Sequence, residues 1–250
     1  MRDQLLLPLE PDVQPLPNLP DSLRPMLPRP LAEPFDSADH VFEPAWGGRR
    51  AFAFVGPAER AGAGEVRIVD ADGHDVAPAL PELAGMAVRL DARSAVLDGE
   101  LVAVDDAGRA DPAELGRRLS GAAGRPVAYL AFDLLHLDGR SLLNTPLHKR
   151  RQLLRRVLHP GDEIVAVPAI AAEGRALHEA AAAQGIAGVL ARQRTSPYLP
   201  GTMSRLWRFI AVGPTPARPT PDLGLAVPEA PTAAAPVIAL IRRLPLLFDD

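Results

Sequence analysis

The sequence contains no cysteine, and its 250 residues include one lysine, Lys149. Without cysteine there is no disulfide framework, no thiolate nucleophile and no cysteine-ligated zinc site. Lysine and arginine together total 27, so the other 26 basic residues are arginines. Arginine stays protonated near neutral pH, whereas lysine is the basic side chain that proteins adjust for covalent attack. This composition therefore restricts the covalent chemistry that the chain performs.

The chain also lacks an excess of positive charge and an apolar run of membrane-spanning length. The formal net charge is −4 and the pI is about 5.9, whereas a domain that binds duplex DNA usually carries a basic face. The net charge argues against an ordinary DNA-binding enzyme but leaves a local basic patch open. No apolar run approaches about 18 residues, and the N-terminus has no signal-peptide pattern. We therefore expect a cytoplasmic protein that contacts no membrane.

Proline marks the domain boundaries. Residues 1–34 and 214–236 contain 16 of the 28 prolines, and such stretches are typical of extended tails and linkers. We predict a Pro-rich tail at 1–22, a folded unit at 23–213, a Pro/Ala-rich linker at 214–236 and an apolar segment at 237–250. Because an exposed apolar stretch favours aggregation, we expect the last segment to dock on an apolar groove, in this chain or on a partner.

The apolar patterns of the folded unit predict an α+β domain. Residues 127–137 are typical of a long buried strand, and residues 146–158 of a basic amphipathic helix. Residues 80–90 have helical spacing, and Asp98-Gly99 suits a tight turn between two short strands. The order of strands and helices contains no βαβ repeat, which favours α+β over a doubly wound sheet.

Three stretches carry a more specific signal: residues 42–50 (FEPAWGGRR), 97–102 (LDGELV) and 129–140 (YLAFDLLHLDGR). Taken alone, the first predicts two strands joined by a Gly-Gly turn, as in an ordinary hairpin. In this order and spacing, the three resemble the nucleotide-binding motifs of ATP-dependent DNA ligases, particularly the bacterial end-joining type. The resemblance implies an adenylation (nucleotidyltransferase) domain made of antiparallel sheets flanked by helices.

The resemblance also implies roles for four residues at the nucleoside end of a cleft. Glu43 would contact the adenine edge, and Arg50 the ribose or the phosphates. Glu100 would bind the ribose hydroxyls, for which an acceptor-only carboxylate is suited. Phe132 would stack on adenine, although a phenylalanine in an apolar strand is equally typical of a core.

Other positions of the family's motifs have lost their polar groups. The lysine that takes AMP from ATP is replaced by Ala45. The remaining replacements affect residues that handle phosphates and metal in the family: Gly47, Ala71, Ala187, Phe209 and Ala211. The family's fourth motif appears in eroded form as residues 187–192 (AGVLAR), without the carboxylate that holds the metal in the family. Lys149 lies outside all of these motifs, in a segment typical of a surface helix.

We therefore expect a catalytically inactive ligase-like protein that acts as a binding or scaffolding module in DNA repair. Its expected partners are an adenine nucleoside or nucleotide, bound weakly, and DNA or DNA-repair proteins. No cofactor and no bound metal are expected; ATP and Mg²⁺ belong to a first alternative, an active ligase aided by a partner. A second alternative is a purely structural interaction protein. The 37 residues after 213 are too few for the five-stranded OB-fold domain that follows in active relatives.

Overall fold

The computed structural model describes residues 19–56, 65–105 and 110–213, which form two β-sheets and three α-helices. The predicted linker at 214–236, the apolar segment at 237–250 and most of the N-terminal tail lie outside these residues. None of the described helices has the length and apolar character needed to cross a membrane.

The first sheet has five strands in the order β1-β11-β10-β2-β9. Neighbouring strands are antiparallel, except that β1 runs parallel to β11. The strands are β1 (Leu27–Pro30), β2 (Ser37–Ala45), β9 (Ile170–Ala172), β10 (Gly188–Gln193) and β11 (Met203–Ala211).

The second sheet has six strands, five of them in the order β4-β3-β5-β6-β7, with β8 parallel to β6. Its long central strands β5 and β6 are buried along nearly their whole length. The strands are β3 (Arg49–Val55), β4 (Val66–Asp70), β5 (Ala95–Ala103), β6 (Val127–Leu137), β7 (Arg140–Ser141) and β8 (Ile164–Ala166).

The helices cover the sheets from outside. They are α1 (Pro112–Leu119), α2 (Leu147–Val157) and α3 (Gly174–Ala183). Helix α1 begins after Asp111, whose carboxylate accepts a hydrogen bond from the Glu114 N–H, as expected of an N-cap residue. Helix α3 is followed by Gly185 with φ of 65°, the left-handed conformation that commonly ends a helix.

The apolar core has three parts. One lies between the second sheet, helix α2 and the 3₁₀ segment Pro81–Arg89. Another joins helix α3 to β2 and β10 through Phe42 and Val189. The third lies where the two sheets meet, and it brings Trp207 of β11 against Phe52 of β3. The two sheets thus enclose a shared interior.

Three sequence predictions about local structure need correction. Asp98-Gly99 is not a turn but part of the single strand β5. Position 99 needs glycine because a Cβ atom there would lie 2.5 Å from the Tyr129 ring. Strands β2 and β3 do not form a hairpin, because they belong to different sheets. Residues 81–89 form a 3₁₀ rather than an α-helix. Strands β1 and β9 and helix α1 had no clear signal in the sequence.

Candidate functional site

The turn between β2 and β3 carries the backbone from one sheet to the other at the site. Gly47 has φ of 81°, in the left-handed region that favours glycine. A side chain at Gly48 would lie 2.1 Å from the Leu101 carbonyl oxygen. The Gly-Gly pair therefore serves a tight crossing between sheets. It leaves Ala45 and Arg50 on either side of the same interior.

Ala45, which the motif resemblance matches to the family's nucleophilic lysine, is 2% exposed. Cross-strand pairing aligns Ala45 with Gly188, and Gly188 with Ala211. Directly paired residues share one face of a sheet, so these three residues form one row across β2, β10 and β11. None of the three has a polar side chain. The single lysine, Lys149, is exposed on helix α2.

Glu43 lies one row further along the same face, and its side chain is 1% exposed. Its two carboxylate oxygens accept hydrogen bonds from different guanidinium groups, Oε1 from Arg151 and Oε2 from Arg192. Arg151 also donates to the Phe132 carbonyl oxygen at 3.0 Å and to the Val167 carbonyl oxygen at 2.8 Å. The Glu43 carboxylate is therefore held by the protein itself.

Arg50 is buried, and its guanidinium lies 5.3 Å from the centroid of the Phe132 ring and 5.7 Å from that of Trp207. Its guanidinium donates to both carboxylate oxygens of Asp98 at 2.9 and 2.5 Å, and to the Met26 carbonyl oxygen at 2.7 Å. The Tyr198 hydroxyl donates to Asp98 at 2.8 Å and accepts from the Met26 N–H at 3.1 Å. This network joins Met26, directly before β1, to strands β3 and β5 and to the segment between β10 and β11.

Glu100 is the cross-strand neighbour of Arg50. Its carboxylate accepts hydrogen bonds from the Gly48 N–H at 2.5 Å and the Trp46 N–H at 3.4 Å. Burial raises the pKa of the Glu100 carboxyl to about 7, against the opposing effect of these backbone hydrogen bonds. In this structure, Glu100 caps the turn between the sheets.

Phe132 is also buried, and two guanidinium groups lie near its ring. The Arg192 Cζ atom is 4.8 Å from the ring centroid and the Arg50 Cζ atom is 5.3 Å away. Arg192 lies equally close to the Trp207 ring, at 5.0 Å. The four residues assigned to the nucleoside end are thus gathered around one interior. Glu43 and Phe132 share two arginines, and Arg50 links Phe132 to Glu100.

The residues predicted to stand at the phosphate end do not fit a triphosphate or a metal ion. Gly47 and Phe209 are buried, while Ala71, Ala187 and Ala211 are half-buried. Binding phosphates needs cations or a metal, and binding a metal needs oxygen or nitrogen ligands. Glycine, alanine and phenylalanine side chains supply neither.

A separate acidic group lies outside the interior. Asp70, Asp72 and His74 have potential ligand atoms within 4.8 Å of one another. Arg49 already pairs with both carboxylates, at 3.0 and 2.9 Å. This cluster therefore carries its own counter-charge, and we assign no metal to it.

The two buried arginines of helix α2 were not predicted as site residues from the sequence. Arg150 and Arg151 fall within the segment predicted as a basic amphipathic helix, yet both side chains are buried. Arg150 pairs with the buried Asp133 at 2.8 Å through two guanidinium nitrogens. Their signal was present in the sequence, because helical spacing puts both arginines near the face that carries Leu147 and Leu154.

Two sheets that meet over this interior, with the motif positions on facing strands, are the arrangement of a nucleotidyltransferase-type domain. A family model, the ATP-dependent DNA ligase domain, matches residues 25–209. The chain therefore belongs to that family. The α+β adenylation-type fold predicted from the sequence is confirmed, and no OB-fold is present among the described residues.

Individual relatives agree with this assignment. A probable DNA ligase from Rhodococcus opacus (strain B4) is 37% identical over 150 residues, which cover 58% of this chain and 30% of the relative. The multifunctional non-homologous end joining DNA repair protein LigD of Mycobacterium tuberculosis (strain ATCC 25618 / H37Rv) is 32% identical over 188 residues, covering 75% and 24%. The chain thus spans less than a third of either protein. The crystal structure of the M. tuberculosis LigD ligase domain matches with a TM-score of 0.65 and 29% identity, covering 76% of this chain and 59% of that one.

Proposed function

We propose that this chain is a non-catalytic ligase homologue that acts as a binding or scaffolding module in DNA repair. The observation that carries the proposal is Ala45, a buried methyl group at the position from which the family's lysine attacks ATP. A methyl group has no lone pair, so the covalent step has no nucleophile there. The repair setting is taken from LigD, whose name describes end joining and DNA repair.

The surroundings of Ala45 support the same conclusion. Its row continues through Gly188 to Ala211, and neither offers a charge. Phosphoryl and nucleotidyl transfer depend on cations placed around the reacting phosphate. Burying anionic oxygens against hydrocarbon costs free energy. A substituted nucleophile alone would therefore not restore activity.

Strand joining tests this proposal directly. The full chain is incubated with a nicked DNA duplex, ATP and Mg²⁺, and the ligase domain of M. tuberculosis LigD serves as the positive control. We expect no joined product from the chain under conditions in which the control seals the nick. Joining by the purified chain that depends on ATP would contradict the proposal and support the alternative of an active ligase.

Residual nucleoside binding is the second part of the proposal. Glu43, Arg50, Glu100 and Phe132 offer stacking and a few hydrogen bonds, each contributing about 0.5–1.5 kcal/mol net. Because existing contacts must first be broken, we expect millimolar affinity for adenosine. Calorimetry should give similar values for adenosine, AMP and ATP with Mg²⁺. Tenfold tighter binding of ATP would mean that a phosphate site survives.

The structural alternative is favoured by two aromatic side chains. Trp46 and Phe209 are each 4% exposed, and both stand at or beside positions that handle phosphate and metal in the family. In this alternative, the Pro-rich segments outside the described residues contact partners.

DNA and DNA-repair proteins are the partners that we propose, and a cytoplasmic location stays a prediction from the sequence.

A further inference from the structure

Arg192 is buried completely and lies between two aromatic rings. Its guanidinium carbon is 4.8 Å from the centroid of Phe132 on β6 and 5.0 Å from that of Trp207 on β11. Its side chain is 0% exposed. A flat guanidinium stacks on aromatic faces better than a lysine ammonium does. The space between the sheets at this point is therefore shaped for a flat group.

The polar contacts of Arg192 define what kind of flat group fits. Its Nη2 atom donates to the Glu43 carboxylate and, at 3.3 Å, to the Phe132 carbonyl oxygen. The site thus presents a carboxylate and a carbonyl, which are both acceptors, beside two aromatic faces. Such a site recognises a planar group with N–H donors along one edge. A guanidinium has this shape, and so does the amino edge of a heteroaromatic base.

The fit of Arg192 is nevertheless incomplete. Among the described residues, its Nε and Nη1 donors have no hydrogen-bond partner, and Nη1 is 3.8 Å from Asp133. Burial lowers the pKa of its guanidinium to about 9, so it is still protonated at neutral pH. Arg150, equally buried, is a contrast. Its Nε and Nη2 donate to Asp133, and its Nη1 donates to two backbone carbonyl oxygens. Arg150 therefore donates through all three of its guanidinium nitrogens, whereas Arg192 donates through Nη2 alone.

We propose that Arg192 is an internal occupant of this cleft, which competes with a flat, amino-bearing heteroaromatic ligand for Glu43 and Phe132. The inference rests on the proposed nucleoside site and deepens it, because it names the residue that keeps the affinity low. Buried unpaired donors cost free energy, so the buried position of Arg192 is less stable than it would be with all donors paired. Displacing or shortening this side chain would free Oε2 of Glu43 and the part of the Phe132 ring that Arg192 covers, while Arg50 stays 5.3 Å from the ring centroid.

The test is the variant Arg192→Lys in the full chain, with adenosine as the probe. The lysine ammonium can still pair with Glu43, but its unbranched stem cannot cover the Phe132 ring. Ligand-detected NMR titration should give adenosine at least tenfold tighter binding than in the wild type, equivalent to about 1.4 kcal/mol. The control is Arg208→Lys, on the other face of β11 from Trp207, which should leave the affinity unchanged.

Arg192→Met provides a second variant if the lysine substitution unfolds the chain, since methionine fills a similar length without buried charge. It should also bind adenosine at least tenfold more tightly than the wild type. Equal affinity for wild type and a folded Arg192 variant would overturn the inference. So would an absence of binding by every folded Arg192 variant. Neither result affects the proposed lack of catalysis, because both variants retain Ala45 and should remain inactive in strand joining.

Discussion

Neutralising Glu43 should be among the most damaging single changes in the domain. The Glu43 carboxylate is the shared partner of two buried guanidinium groups, those of Arg151 and Arg192. Glu43→Gln keeps the shape of the side chain but turns one oxygen into an N–H donor that faces a cation. Removing one partner of a buried ion pair costs about 3–5 kcal/mol, because the remaining charge is left uncompensated.

Urea unfolding followed by circular dichroism measures this loss. In thermal unfolding of a domain of this size, a loss of about 3–5 kcal/mol corresponds to a fall in Tm of roughly 6–20 °C. The matched control is Asp36→Asn, because Asp36 is exposed and lies 3.7 Å from the Arg175 Nε atom. Exposed pairs contribute little, so this variant should stay within about 0.5 kcal/mol of the wild type.

A second substitution separates the charge effect from local damage. In the double variant Glu43→Gln/Arg192→Met, one of the two guanidinium groups that lose their carboxylate partner is also removed. The loss should then be smaller than the sum of the two single losses, with a coupling of about 0.5–3 kcal/mol. A loss below about 1 kcal/mol for Glu43→Gln, or strict additivity of the pair, would refute the account of Glu43 as the centre of a buried network.

Two further predictions concern β5 and its neighbours. The pKa of Glu100 is raised from 4.5 to about 7 in the folded protein, so its contribution to stability is complete below about pH 4.5 and is lost as the pH rises through 7. The free energy of unfolding is measured at about pH 4.5 and again above pH 7 for wild type and for Glu100→Gln. As the pH rises between these values, the wild type should lose about 3 kcal/mol more than the variant does. Gly99→Ala should destabilise by about 1–3 kcal/mol, because the added methyl group would lie 2.5 Å from the Tyr129 ring. Gly116→Ala, in α1 with nothing within 4 Å, should instead stabilise by about 0.5–1 kcal/mol, and matching signs for both glycines would contradict the steric explanation.

The sequence was most informative where a pattern has one physical meaning. The long buried strand predicted at residues 127–137 matches β6, because a continuous apolar run of this length leaves few alternatives. Asp98-Gly99 was misjudged because the same dipeptide suits a turn and a strand in which a tyrosine ring crosses the glycine. Only the packing of Tyr129 distinguishes the two structures.

The candidate site was predicted only in part. Glu43, Arg50, Glu100 and Phe132 were found from the motif resemblance, and the structure gathers them around one interior. Their partners Arg151 and Arg192 could not be paired from the sequence. The pairing with Glu43 joins residues more than 100 positions apart, and arginine is common throughout this chain.

The most direct measurement of the central claim is the transfer of AMP to the protein. The full chain is incubated with ATP labelled in its α-phosphate and Mg²⁺, then denatured and separated by electrophoresis, with the M. tuberculosis LigD ligase domain as the positive control. We predict no labelled band for the chain, because Ala45 offers no nucleophile and Lys149 is exposed on helix α2, outside the motif positions. A covalently labelled band of the chain's own mass would contradict the account.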